Sequence, residues 1–173
     1  FFAGLFLAID RNITVGDMIE LEDGSEGFVT EIGWRHTKIR LWDDTIIIVP
    51  NSRLAQEILI NRSLPRPETS VYVPCGVAYE SDLEKVEQIA IEVAREIQQR
   101  VEGAVRDWQP FVLYEEFGDS NINFTVALRV GNPRAKREVR HQFIKAFKRR
   151  LDEEGIEINY PARTVYVRGP EKG

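Results

Sequence analysis

The rhythm of this chain changes once, at a proline-broken linker, and that change rules out a single uniform fold. Ahead of the linker the apolar residues come in short β-branched runs with no helical stretch between them; beyond it, strand-like alternation and helix-like stripes take turns. A strand repeats its inward face every second residue and a helix every three to four, so the two periods specify different architectures. Residues 63–68, with Pro65 and Pro67, deny the backbone both a helix and a regular ladder. Two units are expected, at residues 17–62 and 69–160.

In the first unit, Asp17 to Glu22 reads as a strand that ends on Asp23-Gly24, a strong hairpin signal. Gly27 to Ile32 and Arg35 to Trp42 follow, Asp43-Asp44 turns the chain into Thr45 to Val49, and Pro50-Asn51-Ser52 stops that run. Ile58 to Asn61 is a last short strand. Strands this short, with no helix among them, predict a small β-barrel or curled sheet.

The second unit alternates. Val71, Val73, Cys75 and Val77 share one face of a strand. Ser81-Asp82-Leu83-Glu84 has the form of a capping box, and Leu83, Val86, Ile89/Ala90, Val93/Ala94, Ile97 and Val101 continue as a helical stripe. Phe111 to Phe117 and Ile122 to Val130 form a hairpin across Gly118-Asp119-Ser120. A second helix runs from about Pro133 to Glu154, capped by Gly155, with Val139, Phe143, Ala146/Phe147 and Leu151 on its stripe; Ile156 to Asn159 gives a short strand. The order βαββαβ predicts a ferredoxin-like arrangement, and the chain as a whole is α+β. Thr164 to Arg168, in the last segment, residues 161–173, is a strand with no place in that sheet. A lone strand needs a partner, and its counterparts in other copies are the economical ones.

The two helices differ in charge. The first carries Glu84, Glu87, Glu92 and Glu96 against Lys85, Arg95 and Arg100, whereas the second holds Lys136, Arg137, Arg140, Lys145, Lys148, Arg149 and Arg150. Both pack on one face of a ferredoxin-like sheet, so their flanks can complement each other; the plainer alternative is two solvated faces.

Phe1 to Ile9 is apolar on every side and gives way to polar sequence at Asp10. A helix apolar all round must be buried by lipid or by copies of itself. As a helix it reaches only about 13 Å at 1.5 Å per residue, short of the roughly 20 residues that span a bilayer. It reads as the last turns of a longer hydrophobic helix that begins upstream, and residues 1–16 connect that helix to the β-unit.

Composition narrows the function. A net charge of -5 argues against a dedicated nucleic-acid binder, which needs a basic surface to displace counterions. A single cysteine, Cys75, excludes internal disulfides and cysteine-based zinc sites. There is no phosphate-cradling glycine loop and no metal-ligand spacing, so no cofactor, metal or catalytic residue is assigned.

The motifs carry a family resemblance. Ala3-Gly4-Leu5-Phe6-Leu7-Ala8-Ile9 followed by Val15-Gly16-Asp17, then Gly27-Phe28-Val29-Thr30-Glu31-Ile32, Thr37-Lys38-Ile39-Arg40, Ile46-Ile47-Ile48-Val49-Pro50-Asn51-Ser52 and Gly76-Val77-Ala78-Tyr79-Glu80-Ser81-Asp82 stand in order along the chain. In that order they resemble the cytoplasmic part of the small-conductance mechanosensitive channel (MscS) family, with an Sm-like β-domain, a ferredoxin-like domain and a terminal strand. The resemblance implies that Gly4, Leu5 and Ala8 close a pore-lining helix and that Arg11 contacts a loop between membrane helices. It implies that Gly27, Pro50 and Asn51 carry the β-domain signature. Arg62 and Arg66 then lie near lateral portals, and Thr164, Val165, Tyr166 and Val167 join an intersubunit barrel. It further implies a homo-oligomer, a heptamer in the best-known branch, enclosing a vestibule on the cytoplasmic side of a bacterial or archaeal plasma membrane. Such channels open under membrane tension and release ions and small solutes in hypo-osmotic shock; the gate lies in membrane helices this chain lacks.

Two rivals remain. An enzyme would have to use His36, His141 and Cys75, or the paired carboxylates Asp43-Asp44 and Glu115-Glu116, none in a catalytic pattern. An oligomeric Sm-like/ferredoxin-like binding module for RNA or a small regulatory ligand would use Arg35, Lys38, Arg40, Arg53 and Arg62, with Trp34 and Trp42 available for stacking.

Overall fold

The structure, a computed structural model, describes residues 12–161. Gly4, Leu5, Ala8 and Arg11 at one end, and Thr164, Val165, Tyr166 and Val167 at the other, lie outside the described residues. The chain separates into two compact units: one runs to Thr69 and takes in Gly131–Arg134, the other comprises Ser70–Val130 and the chain from Ala135 on.

The first unit is a five-stranded antiparallel sheet: β1 (Met18–Glu20), β2 (Glu26–Ile32), β3 (His36–Leu41), β4 (Ile46–Pro50) and β5 (Ile60–Asn61), in the order β4-β3-β2-β1-β5. Its turns follow from residue chemistry. Gly24 sits at φ +81, which a side chain rarely adopts, and the Asp23 carboxylate accepts from Ser25 N at 2.8 Å. At the β3–β4 hairpin Asp43 accepts from Thr45 N at 3.0 Å in the same way. Both bonds favour the ionised carboxylate, so Asp23 and Asp43 titrate below the ordinary aspartate range. The β2–β3 register slips between Val29 and Glu31, a bulge at Thr30 that sharpens the local twist. Ile13, Ile19, Leu21, Val29, Ile39, Val49 and Leu54 fill the core beneath the sheet. Where the sequence suggests only a stop at Pro50-Asn51-Ser52, the chain makes a helical turn, α1 (Asn51–Leu54), whose Leu54 reaches that core.

The second unit has β6 (Thr69–Val77), α2 (Leu83–Arg100), β7 (Phe111–Phe117), β8 (Ile122–Val130), a short 3-10 turn at Pro133–Ala135 and α3 (Lys136–Glu153). Its sheet order is β6-β8-β7. The N-cap of α2 is Asp82 rather than Ser81: Asp82 Oδ1 accepts from Lys85 N at 3.1 Å. Asp and Ser cap about equally well, so local sequence does not separate them. The expected strand Ile156 to Asn159 is not a strand. After Gly155, at φ +67, the segment makes one backbone bond just past the end of β6, Ala78 N to Glu157 O at 2.9 Å. Asn159 N then donates to Asn121 Oδ1 at 2.9 Å, so a side chain takes the place of a ladder. The core packs Val86, Ile89, Val93 and Ile97 of α2 and Val139, Phe143, Phe147 and Leu151 of α3 over Phe124, Val126 and Leu128. Phe143 and Phe147 stack at 5.3 Å, and Phe147 meets Phe124 edge-on at 6.3 Å. Gln98, fully buried, donates to the carbonyls of Val105 and Trp108, both at 2.8 Å, and so fixes the loop that leads into β7.

The opposite charges of the helices do meet. Arg150 pairs with Glu92 at 3.0 Å and with Glu154 at 3.4 Å, and Lys85 pairs with Glu154 at 2.9 Å. Lys85, through its hydrogen bond above all, holds the Glu154 carboxyl below the usual glutamate range. These pairs are solvent-exposed and contribute little next to the aromatic core. Phe143→Ala is expected to cost about 3–5 kcal/mol in chemical denaturation, whereas Arg150→Ala costs less than about 1 kcal/mol.

Candidate functional site

The positions singled out by sequence fall on three parts of the first unit. Gly27 lies in β2, opposite Leu41 of β3 and Ile19 of β1. A Cβ there would stand 2.6 Å from the Arg40 carbonyl oxygen and 2.9 Å from Ile39 Cγ2. The neighbouring strand is too close for any side chain, which is a physical reason for glycine independent of function.

Pro50 ends β4 opposite His36, with φ -59 and ψ 134. Its ring fixes φ where the chain leaves the ladder for α1. Asn51 follows with 1% exposure. Its Oδ1 accepts from Thr37 Oγ1 at 2.8 Å and its Nδ2 donates to Gly33 O at 2.7 Å. Its backbone N donates to Arg35 O at 2.8 Å, and its carbonyl accepts from Ala55 N at 3.0 Å. One buried carboxamide thus ties α1 to the β2–β3 tip, Gly33 to Arg35. Sequence marks the Pro-Asn pair without exposing this role, because Gly33 and Thr37 are distant in the chain.

Arg62 leaves β5 with its N donating to Met18 O at 2.8 Å. Its guanidinium pairs with Glu20 and, at 3.2 Å, with Glu26. Its charge is offset by two carboxylates of the same sheet, so Arg62 acts first as a clasp on β5. Arg66 is exposed in the linker. Gly27 and Pro50 lie in the sheet and Asn51 opens α1 directly after it, so the structure does not bring the three into a single cluster.

The enzyme rival finds no support in the geometry. Cys75 lines a cavity of about 540 Å³ with Phe143, Ile144, Phe147, Leu151 and Ile158, and no histidine is among the lining residues. Burial pushes its thiol up to about 12. A thiol so protonated is not a nucleophile at neutral pH. Among the described residues no group of three or more His, Cys, Asp and Glu is placed to hold a metal. Of the aromatic residues considered for base stacking, Trp42 is packed edge-on against Phe28 at 5.1 Å, while Trp34 is 76% exposed.

Sequence and structure comparisons agree with one another. Residues 1–64 match the family model described as mechanosensitive ion channel, beta-domain, and residues 71–158 match mechanosensitive ion channel MscS, C-terminal. The chain is 33% identical to the small-conductance mechanosensitive channel MscMJ of Methanocaldococcus jannaschii, over 96% of this chain and 47% of that protein. It is also 33% identical to the large-conductance channel MscMJLR of the same organism, over 96% of this chain and 46% of that protein. It therefore spans about half the length of these relatives. The crystal structure of Helicobacter pylori MscS in a closed state superposes with a TM-score of 0.79 at 27% identity, covering 97% of this chain and 64% of that one. Among the described residues, no helix is long and apolar enough to cross a membrane.

Two outcomes follow from this geometry. Asn51→Ala strips the Gly33 carbonyl and the Thr37 hydroxyl of their partner, and is expected to lower stability by about 2 kcal/mol in urea titration. Desolvation raises the Cys75 pKa from its ordinary 9.0 to about 12, so the neutral thiol is favoured in the fold. Its contribution is present below pH 9.0 and declines as pH rises toward 12. At pH 8, alkylation by iodoacetamide is expected to run at least about 100-fold slower in folded than in urea-unfolded protein.

Proposed function

The chain belongs to the MscS family of mechanosensitive ion channels, and on that premise we propose that it builds the vestibule beneath the pore of a multi-copy membrane channel. The channel opens under membrane tension and passes ions and small solutes in hypo-osmotic shock. This chain faces the cytoplasm and supplies the walls of the passage rather than the gate. The observation that carries the reading is the pair of family matches, in order, over both units, at residues 1–64 and 71–158.

Assembly from several copies is supported by the two edges of the first sheet. Among the described residues β4 and β5 are the edge strands, and both carry exposed isoleucines: Ile46 and Ile48 on β4, Ile60 on β5 with Ile58 just before it. An exposed apolar edge is a template for pairing with another chain. A ring in which β4 of one copy meets β5 of the next covers both and leaves a central passage. In the second unit Phe111, Leu113 and Phe117 are similarly exposed on the edge strand β7.

Within this reading, Gly4, Leu5 and Ala8 close the pore helix, Arg11 contacts a membrane loop, and Thr164 to Val167 enter a barrel of terminal strands. Arg66 contributes positive field near the lateral portals; Arg62 contributes less, because Glu20 and Glu26 offset it.

The decisive test is patch recording from liposomes that contain the whole parent protein. Graded suction is expected to produce stepwise conductance, and its absence across the tolerated tension range would overturn the channel reading. Light scattering of this chain is expected to give a mass several times 19.9 kDa. Ile48→Lys, which places a charge on the exposed edge, shifts that mass toward the monomer.

A further inference from the structure

We propose that the second unit carries two docking faces for a second copy of this chain, the basic β6/α3 flank of one copy seating on the acidic β7/α2 flank of the next. The inference rests on the multi-copy reading above and names the surfaces through which second units meet. In the sheet order β6-β8-β7 the two flanks are opposite edges, and a helix is tied to each. Arg140 of α3 donates to Tyr72 O on β6 at 3.0 Å, while the Tyr114 hydroxyl of β7 donates to Leu83 O of α2 at 2.7 Å.

Charge divides along that axis. Arg140, Ile144 and Lys148 recur every fourth residue on one line of α3 and are exposed, with Lys145 beside them. A carboxylate on this flank, Asp152, offsets one charge by accepting from Lys148 at 2.7 Å. On the other flank Glu84 of α2 and Glu115 of β7 are exposed and Glu87 is half-buried, and none of the three has an ion-pair partner among the described residues. Asp82, Glu84 and Glu87 converge on the Tyr114 hydroxyl, which burial first and these charges next push up to about 12. Unlike charges unmatched within one copy and placed on opposite edges fit a head-to-tail contact, the kind that closes a ring.

Apolar surface and height match as well. The basic flank opens on the cavity of about 540 Å³, where Ile144 and Lys148 join Cys75, Phe147 and Ile158. The acidic flank presents Phe117, 82% exposed, and Leu113. Copies arranged around an axis parallel to the strands meet at one height. Gly76, also lining the cavity, lies against Asn121 and Asn123 at the start of β8, where Glu116 and Phe117 pair with Asn123 and Ile122. Lys148 and the Glu115–Phe117 segment therefore stand at the same end of the sheet. A polyanion would fill the basic flank alone and leave the glutamates and Phe117 in water; a second copy of this chain covers both flanks.

The test uses the parent protein in detergent, assembled from a mixture of ordinary and heavy-nitrogen-labelled copies. A carbodiimide joins an amine to a carboxylate only where the two touch, and peptide mass spectrometry then identifies the joined residues. A link from Lys148 to Glu115 or Glu116 between unlike-labelled copies is expected; within one copy these groups lie on opposite flanks. Glu115→Lys is expected to lower that yield at least about threefold, since two ammonium groups then face each other. Lys148→Glu combined with Glu115→Lys restores the link, with the amine on β7 and the carboxylate on α3. Both side chains are exposed, so the fold survives each change. A link from Lys148 to Glu171, in residues 162–173, would seat the chain's own last segment on the basic flank and overturn the proposal. A multi-copy mass in light scattering without the Lys148 link removes the flank pairing and leaves the channel reading. Links without suction-activated conductance in vesicles remove the channel reading and leave the pairing, and the mass of a single copy removes both.

Discussion

The first unit depends on one buried carboxamide. Asn51 sits where β4 leaves the ladder, and its side chain and backbone together satisfy the Thr37 hydroxyl and the carbonyls of Gly33 and Arg35. A short sheet in a small unit buries limited apolar area, so polar groups taken out of water must be matched or they cancel much of the gain. Asn51 supplies an acceptor and two donors where the strand ends would otherwise strand their own. It also turns the β2–β3 tip from a free loop into a fixed projection, and so couples a packing solution to a surface. The close approach of β2 and β3 at Gly27 works to the same end, since it draws the two arms of the hairpin against each other.

The second unit is held differently. Its stability lies in aromatic and β-branched packing under two helices, with Phe147 in ring contact with both Phe124 and Phe143. The charges of α2 and α3 find one another through Arg150, Lys85, Glu92 and Glu154, but in solvent, where such pairs add little to stability. Gln98 does for this unit what Asn51 does for the other: it meets two carbonyls of a loop from inside the core. Each unit has a core of its own, and Ile46, Ile48 and Ile60 stay exposed on the edge strands β4 and β5 of the first.

Much of this architecture is legible in the chain, and for identifiable reasons. The strands of the first unit are bracketed by Asp-Gly and Asp-Asp turns, and the hairpin Phe111–Phe117 with Ile122–Val130 is found at the residues its alternation marks. Most of the stripe residues of both helices are buried in the core, with Leu83, Val101 and Ala146 half-buried at its margin and Gln98 added to it. What the chain leaves open is settled by contacts distant in sequence. Ser81 and Asp82 are equivalent as caps until the backbone of the first turn chooses Asp82. Ile156 to Asn159 has the pattern of a strand, yet Asn121, far back in the chain, captures Asn159 and substitutes side-chain bonds for a ladder. The candidate site divides in the same way. Pro50-Asn51 is conspicuous as a motif, but its clamp on Gly33 and Thr37 is not, because nothing local pairs them. Arg62 reads as a free cation until Glu20 and Glu26 are seen around it.

The sequence by itself determined the two-unit plan, the α+β class, the faces that are buried and the family, because periodicity, turn chemistry and ordered motifs are local properties. Only the tertiary structure decided which polar groups meet: Asn51 with Gly33 and Thr37, Arg62 with two glutamates, Trp34 left in water beneath Arg35. Hydrogen bonds and ion pairs depend on positions in space to within about an ångström, and no pattern along one dimension carries that information.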